Sequence, residues 1–98
     1  MEKVFIEPAV NGTLNILKAA QKANGLKRVV ITSSVLAIIP WSGLTESKEG
    51  VIWDEQSRIP TPSGPYSSAF EAYGASKVAA HNETEEWIRK ERPTFDVV

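Results

Sequence analysis

The sequence predicts an α/β protein with parallel strands, and three observations support that class. Two stretches have helical periodicity, at residues 9–23 and 67–92. Each is followed by a short run rich in β-branched residues, at residues 28–32 and 94–98. A long irregular stretch, residues 35–65, separates the first run from the second helix. Because strands that alternate with helices usually form a parallel sheet, we expect the order helix, strand, loop, helix, strand.

The first predicted helix covers residues 9–23. Its apolar residues follow a period near 3.6, which predicts a helix with one buried face; they are Val10, Leu14, Ile16, Leu17 and Ala20. Pro8 suits the first turn of a helix, and Asn24-Gly25 is a typical stop signal. Gly12 lowers helix propensity, so we expect it to mark the close approach of a neighbouring element.

The run Arg28 to Thr32 is short and β-branched, without polar alternation. That pattern is typical of a strand buried on both faces, as in a parallel sheet between helix layers. The following stretch, residues 35–65, holds four of the six prolines and two tryptophans, Trp41 and Trp53. Long loops of this kind often carry function, so we expect it to contribute to a binding site.

The second predicted helix covers residues 67–92, and Pro93 ends it. Its apolar residues recur with helical spacing between charged ones; they are Ala69, Phe70, Tyr73, Ala80, Trp87 and Ile88. Residues 94–98 then begin the second strand.

Composition excludes several classes of function for this 98-residue chain. With 11 basic and 12 acidic residues the net charge is −1, which gives no reason to expect nucleic acid or an anionic membrane as a partner. Cysteine is absent and His81 is the single histidine, so we expect no metal site and interpret His81 as an exposed bystander. No signal peptide or membrane-spanning run occurs, so a cytoplasmic location is the default expectation.

Tyr73 and Lys77 are four residues apart on the second predicted helix. Positions i and i+4 of a helix share a face, so the phenol and the ammonium reach the same space. A tyrosine ordinarily has a pKa of about 10, and a nearby cation or helix N-terminus favours its ionised form. The pair can therefore form a proton-transfer site. The alternative is a tyrosine packed in the core beside a solvated lysine.

Three hydroxyl residues, Thr32, Ser33 and Ser34, follow the first predicted strand. Ligands of open α/β sheets bind outside the carboxyl ends of the strands, so a hydroxyl there could hold a substrate oxygen. Capping of the backbone at the strand end is the alternative role.

Together these stretches resemble the extended branch of the short-chain dehydrogenase/reductase superfamily. This branch is also called the NAD-dependent epimerase/dehydratase superfamily. The resemblance is strongest to dihydroflavonol reductases, cinnamoyl-CoA reductases and related carbonyl reductases. The segments that carry it are residues 7–20, 27–34, 73–77 and 87, and 93–98, so it covers nearly all of the chain except the loop.

The resemblance implies a partial NAD(P)-binding Rossmann fold and a set of residue roles. Tyr73 would be the acid-base residue, and Lys77 would favour its phenolate and hydrogen-bond the nicotinamide ribose. Ser34 would polarise the substrate carbonyl, with Ser33 as the alternative. The resemblance also implies contacts of Thr32, Ser33 and Tyr73 with the cofactor. It implies contacts of Trp53 and Tyr66 with the substrate, where either aromatic could equally be packing.

The sequence also departs from the pattern of this family in ways that bear on function. No G-x-G-x-x-G run occurs in this sequence, and the residue that selects NAD or NADP is absent with it. We therefore expect residues 1–98 to be one fragment of such a domain, without the N-terminal Gly-rich βαβ unit and the C-terminal substrate-binding part. By itself such a fragment is expected to be inactive.

The resemblance favours reduction of a small-molecule carbonyl compound, with NADP rather than NAD as the cofactor. It leaves open whether the chain forms a homodimer. Two alternatives remain. One is an NAD-dependent epimerase or dehydratase, which uses the same serine, tyrosine and lysine. The other is a non-catalytic fragment that acts as an interaction module.

Overall fold

The structure is a computed structural model that describes residues 2–23, 25–38, 56–62 and 64–98. Its elements alternate as predicted, with two helices, two short strands and two single-turn helices in the described part of the chain. In chain order they are a π-helical turn Glu2–Ile6, α1 Glu7–Lys22, β1 Arg28–Val29, a 3₁₀ turn Val35–Ala37, α2 Ala69–Glu91 and β2 Asp96–Val97.

Helix α1 begins two residues before its predicted start, because the π-helical turn Glu2–Ile6 runs directly into it. Pro8 lies in its first turn, where a missing backbone N–H costs nothing, as expected. The chain leaves the helix at Ala23, and Gly25 then has a φ of +81°, a conformation that favours glycine. The predicted stop therefore operates through Gly25.

Strands β1 and β2 pair in parallel, which confirms the predicted class. Arg28 lies opposite Asp96 and Val29 opposite Val97. Backbone hydrogen bonds extend the pairing beyond the strand bounds, from Asp96 N–H to the Lys27 carbonyl at 3.0 Å and from Ile31 N–H to the Val98 carbonyl at 2.7 Å.

The prediction that β1 is buried on both faces is wrong for this structure. Val29 and Ile31 pack against the core, whereas Val30, which points to the opposite face, is 71% exposed. In the described residues the helices cover one face of the sheet. A β-branched run indicates a strand, but it does not indicate what lies against each face.

Helix α2 has strong signals at both ends. The Ser68 hydroxyl accepts a hydrogen bond from the Glu71 N–H at 3.1 Å, which is N-capping. At the other end Arg92 has a φ of +45° and its N–H bonds the Ile88 carbonyl. Pro93 follows, as predicted.

The buried face of α2 does not coincide with the large apolar residues of its helical pattern. Phe70 is 56% exposed and Tyr73 is 39% exposed. The buried positions are mostly small residues, namely Ala72, Gly74, Ala75, Ser76, Val78, Ala79, Thr84 and Trp87. Small side chains allow α2 to approach its neighbours closely, and a hydrophobicity pattern gives them little weight.

The core lies between α1, α2 and the covered face of the sheet. Its buried members are Leu17, Trp87 and Phe95, and the last two stack with ring centroids 6.4 Å apart. Half-buried apolar residues from both helices and both strands surround them. This core fixes the carboxyl end of β1 relative to α2.

Two further expectations need correction. An added Cβ at Gly12 would have nothing within 4 Å among the described residues, so Gly12 marks no close approach. His81 is not an exposed bystander: its side chain is 21% exposed, and its Nε2 lies 3.5 Å from Glu85 Oε1. Both expectations came from the neighbouring residues in the sequence, whereas the surroundings of Gly12 and His81 depend on tertiary packing. Among the helices described, none has the length and apolar character needed to cross a membrane.

Candidate active site

Tyr73 and Lys77 lie on adjacent turns of α2, near its N-terminus. The Lys77 Nζ lies 5.5 Å from the centroid of the Tyr73 ring, over its face. Phe70 also stacks on Tyr73, with ring centroids 6.5 Å apart and planes 14° apart. Because Tyr73 is 39% exposed, it is not the core-packed tyrosine of the alternative interpretation.

Ser34 joins β1 to the 3₁₀ turn. Its Oγ accepts a hydrogen bond from the Leu36 N–H at 3.1 Å, so it caps that turn. Ser34 therefore has the alternative role of capping the backbone. Accepting this bond uses a lone pair of the hydroxyl and not its O–H, which can still donate to another group.

Thr32 and Ser33 lie between the paired part of β1 and Ser34, and both are exposed. They follow Ile31, whose N–H bonds the Val98 carbonyl at the end of the two-stranded sheet. This is the edge at which open α/β sheets bind ligands.

Leu36 and Gly74 bring the two parts of the candidate site together. An added Cβ at Gly74 would lie 3.8 Å from Leu36 Cδ1, so the leucine packs directly over the glycine. Leu36 is two residues after Ser34, and Gly74 directly follows Tyr73. The contact therefore joins the turn that carries the serine to the turn that carries the tyrosine.

A small apolar pocket lies at this junction, with a volume of about 40 Å³. It is lined by Leu36, Ile59, Pro62, Glu71, Gly74, Ala75 and Val78. The pocket thus combines the 3₁₀ turn, the N-terminal half of α2 and the segment 56–62, which arrives from the irregular stretch. Its lining residues on α2 lie on a different face of the helix from Tyr73 and Lys77.

Glu71 is the charged residue of that lining, and its carboxylate is turned towards the start of α2. It accepts hydrogen bonds from the Ser67 hydroxyl and from the Ser67 N–H, the latter at 2.8 Å. The side-chain bond, followed by the backbone bond, lowers the pKa of Glu71 below its ordinary value of 4.5. Glu71 therefore stays ionised while it holds the entry of the helix.

Comparison with known proteins decides the family of this chain. Residues 2–97 match the NAD dependent epimerase/dehydratase family. The chain belongs to this family. The match includes every residue of the candidate site.

Several relatives of this epimerase/dehydratase family member have names that describe an activity. It is 38% identical over 97 residues to the ketoreductase CTB6 of Cercospora beticola, covering 99% of this chain and 27% of that protein. It is 40% identical over 100 residues to the NAD-dependent epimerase/dehydratase ALT6 of Alternaria alternata, covering 96% of this chain and 27% of that protein. This chain thus spans about a quarter of the length of these relatives.

A solved structure supports the same fold. It is that of a reductase engineered from its structure to attenuate substrate inhibition in asymmetric catalysis. The TM-score is 0.79 at 30% identity, over 98% of this chain and 29% of that chain. The family member therefore has part of a Rossmann-type α/β fold with parallel strands, as predicted.

The two aromatic substrate candidates have different outcomes. Trp53 lies outside the described residues. Tyr66 is half-buried, and its hydroxyl donates to the Pro62 carbonyl at 3.0 Å. That bond ties Tyr66 to a residue of the pocket lining, and a contact of Tyr66 with substrate stays a prediction.

The interpretation of this family member from sequence missed Glu71 and Asn82. For Glu71 a signal was present, because Ser68 and Glu71 have the S-x-x-E spacing of a capping box, although the Glu71 carboxylate bonds Ser67 and not Ser68. For Asn82 no local signal exists, since its partners, Ile59 and Thr61, are 23 and 21 residues away.

Proposed function

We propose that this chain carries the proton-transfer part of an NAD(P)-dependent carbonyl reductase. The observation that supports it best is the junction of Leu36 with Gly74. It brings the turn capped by Ser34 to the turn of α2 that presents an accessible Tyr73 beside Lys77. The relatives named ketoreductases favour a ketone as the small-molecule substrate.

The residues fit one end of the cofactor. Thr32 and Ser33 present exposed hydroxyls at the carboxyl end of β1, where a nicotinamide nucleotide would lie. Lys77 is half-exposed and could reach the nicotinamide ribose. The sequence has no Gly-rich turn for the pyrophosphate, so these residues would hold the nicotinamide end. When bound, NADPH or NADH supplies the hydride.

The chain's own groups would manage the proton and the charge on oxygen. The Ser34 O–H would donate a hydrogen bond to the substrate carbonyl oxygen. The Tyr73 O–H would give its proton to that oxygen as the carbon is reduced, and the reverse reaction would return it. The Lys77 ammonium would stabilise the phenolate that forms, because opposite charges attract strongly in a site with little water.

The test uses the complete product of the gene, with NADPH and NADH and a panel of ketones. In an active protein, Tyr73→Phe should lower kcat by about 100- to 10,000-fold, the range for a general acid-base group. Cofactor affinity by calorimetry should change little. Thr94→Val, which removes an exposed hydroxyl elsewhere, is the matched control. Undiminished turnover by Tyr73→Phe would contradict the assigned role.

Two further measurements separate the alternatives. Calorimetry with NADPH and NADH on the 98-residue chain tests whether it binds cofactor by itself; we expect it to be inactive alone. An epimerase or dehydratase, the activity in the name of the Alternaria alternata relative, would convert its substrate without net oxidation of the cofactor. Consumption of NADPH or NADH in step with alcohol formation identifies a reductase.

A further inference from the structure

Phe70 and Lys77 lie on the same face of α2 as Tyr73. At 3.6 residues per turn the three side chains fall within about 60° of the helix circumference. Phe70 lies one turn before Tyr73, and their rings stack with centroids 6.5 Å apart and planes 14° apart. The Lys77 ammonium lies 5.5 Å from the centroid of the same ring. Two neighbours on one helix face therefore contact the Tyr73 ring.

These ring contacts bear on the direction in which Tyr73 presents its phenol. Among the described residues the Tyr73 hydroxyl has no hydrogen bond that would hold it in one place. The residue is also 39% exposed, so the core does not enclose it. A tyrosine that gives its proton to a carbonyl must keep its oxygen within hydrogen-bond reach of the carbonyl oxygen. The neighbours that hold the ring can therefore affect the proton transfer.

Of the two neighbours, Phe70 is the more rigid. A lysine ammonium is carried on a flexible four-carbon stem, whereas a phenylalanine ring is flat and attached directly to Cβ. The backbone around Phe70 is also fixed, because Ser68 caps the first turn of α2. The Ser68 hydroxyl accepts from the Glu71 N–H and the Ser68 carbonyl from the Ala72 N–H, both at 3.1 Å. The cap thus orders the turn from which Phe70 reaches Tyr73.

We propose that Phe70 is a positioning residue that holds the Tyr73 ring in the orientation from which the phenol reaches the substrate carbonyl. The proposal rests on the proposed function, since it takes Tyr73 as the acid-base group. Phe70 acts through the Tyr73 ring and does not itself touch the reacting atoms. Because Phe70 is 56% exposed, its replacement should leave the fold intact.

The first test needs no turnover and uses fluorine NMR on the complete gene product labelled with meta-fluorotyrosine. The Tyr73 resonance is assigned by its absence in Tyr73→Phe. Phe70→Leu should move this resonance, because the stacked ring and its ring current are lost. Ile16→Ala, at another exposed apolar position on a helix, is the control and should leave the resonance in place. An unmoved Tyr73 resonance in Phe70→Leu would overturn the proposal.

The second test measures ketone reduction by the same protein without the label. Phe70→Leu should lower kcat about three- to tenfold with KM within about twofold, because loss of one aromatic contact lets the phenol leave its productive orientation. Phe70→Trp, which keeps an aromatic ring without adding a phenol, should retain kcat within about twofold of the original. In a Tyr73→Phe background, Phe70→Leu should cause no further fall in kcat, because the group through which it acts is absent.

The kinetic outcomes separate this role from others. Unchanged kcat in Phe70→Leu would overturn the proposal, as would an equal fall in kcat with and without the Tyr73 hydroxyl. A raised KM with unchanged kcat would also overturn it, because Phe70 would then bind the substrate itself. Failure of the unaltered protein to reduce any ketone would instead overturn the proposed function, and the fluorine spectrum would still decide whether Phe70 holds the Tyr73 ring.

Discussion

The Lys77 ammonium lies over the face of the Tyr73 ring, 5.5 Å from its centroid. A cation in this position is attracted by the negative face of the ring, so the two side chains hold each other on the surface of α2.

Lys77→Met tests that relationship in the complete gene product. Loss of the ammonium should lower kcat/KM for the ketone by about 100-fold or more, because the phenolate formed by proton transfer loses its counter-ion. Lys90→Met removes an exposed lysine at the far end of the same helix and should have no such effect. If both variants retained the original kcat/KM, Lys77 would have no part in the chemistry.

Gly74→Ala should stabilise the protein. The added methyl would meet Leu36 Cδ1 at 3.8 Å and Leu36 Cβ at 3.9 Å, which are ordinary van der Waals contacts. Alanine also favours a helix over glycine by about 0.8–1 kcal/mol. We expect the free energy of unfolding to rise by about 1 kcal/mol in urea denaturation. Gly74→Leu should instead destabilise, because its larger side chain must displace Leu36. Destabilisation by the alanine would contradict the packing described here.

Stability should fall in acid, in part through Glu71. Its hydrogen bonds with Ser67 lower its pKa in the folded protein below 4.5, its ordinary value in an unfolded chain. The unfolded state therefore binds the proton more readily as the pH falls below about 4.5. This contribution is fully present above that pH and is lost as the pH falls through the lowered pKa. Glu71→Gln should flatten the dependence of the unfolding free energy on pH between about 3 and 5, whereas Glu83→Gln should not.

Leu17→Ala should be the most destabilising of these changes. Leu17 is 0% exposed and packs in the core with Trp87 and Phe95. Truncation of a buried leucine to alanine costs about 2–5 kcal/mol, which is a large part of the stability of a small domain. Ile16→Ala, at the neighbouring 66% exposed position, should cost less than about 0.5 kcal/mol. Equal losses for the two variants, measured by chemical denaturation, would show that this core does not form.

Several features were predictable because their signals act between residues that are close in the chain. The stop at Gly25, the end of α2 before Pro93 and the Tyr73–Lys77 spacing all arise from local backbone geometry. The capping of α2 was equally local, and Ser68 with Glu71 was a readable signal. The parallel pairing followed from the alternation of helices and strands.

The sequence by itself determined the order of the helices and strands, the stops at Gly25 and Pro93 and the side chains that share a helical turn. The tertiary structure alone decided which faces are covered: Val30 is exposed, the small residues of α2 are buried and Leu36 packs over Gly74. It also decided that Asn82 holds Ile59 across 23 residues of chain. The physical reason is that helix ends and turns depend on a few adjacent dihedral angles, whereas burial and long-range hydrogen bonds depend on what packing brings to each side chain.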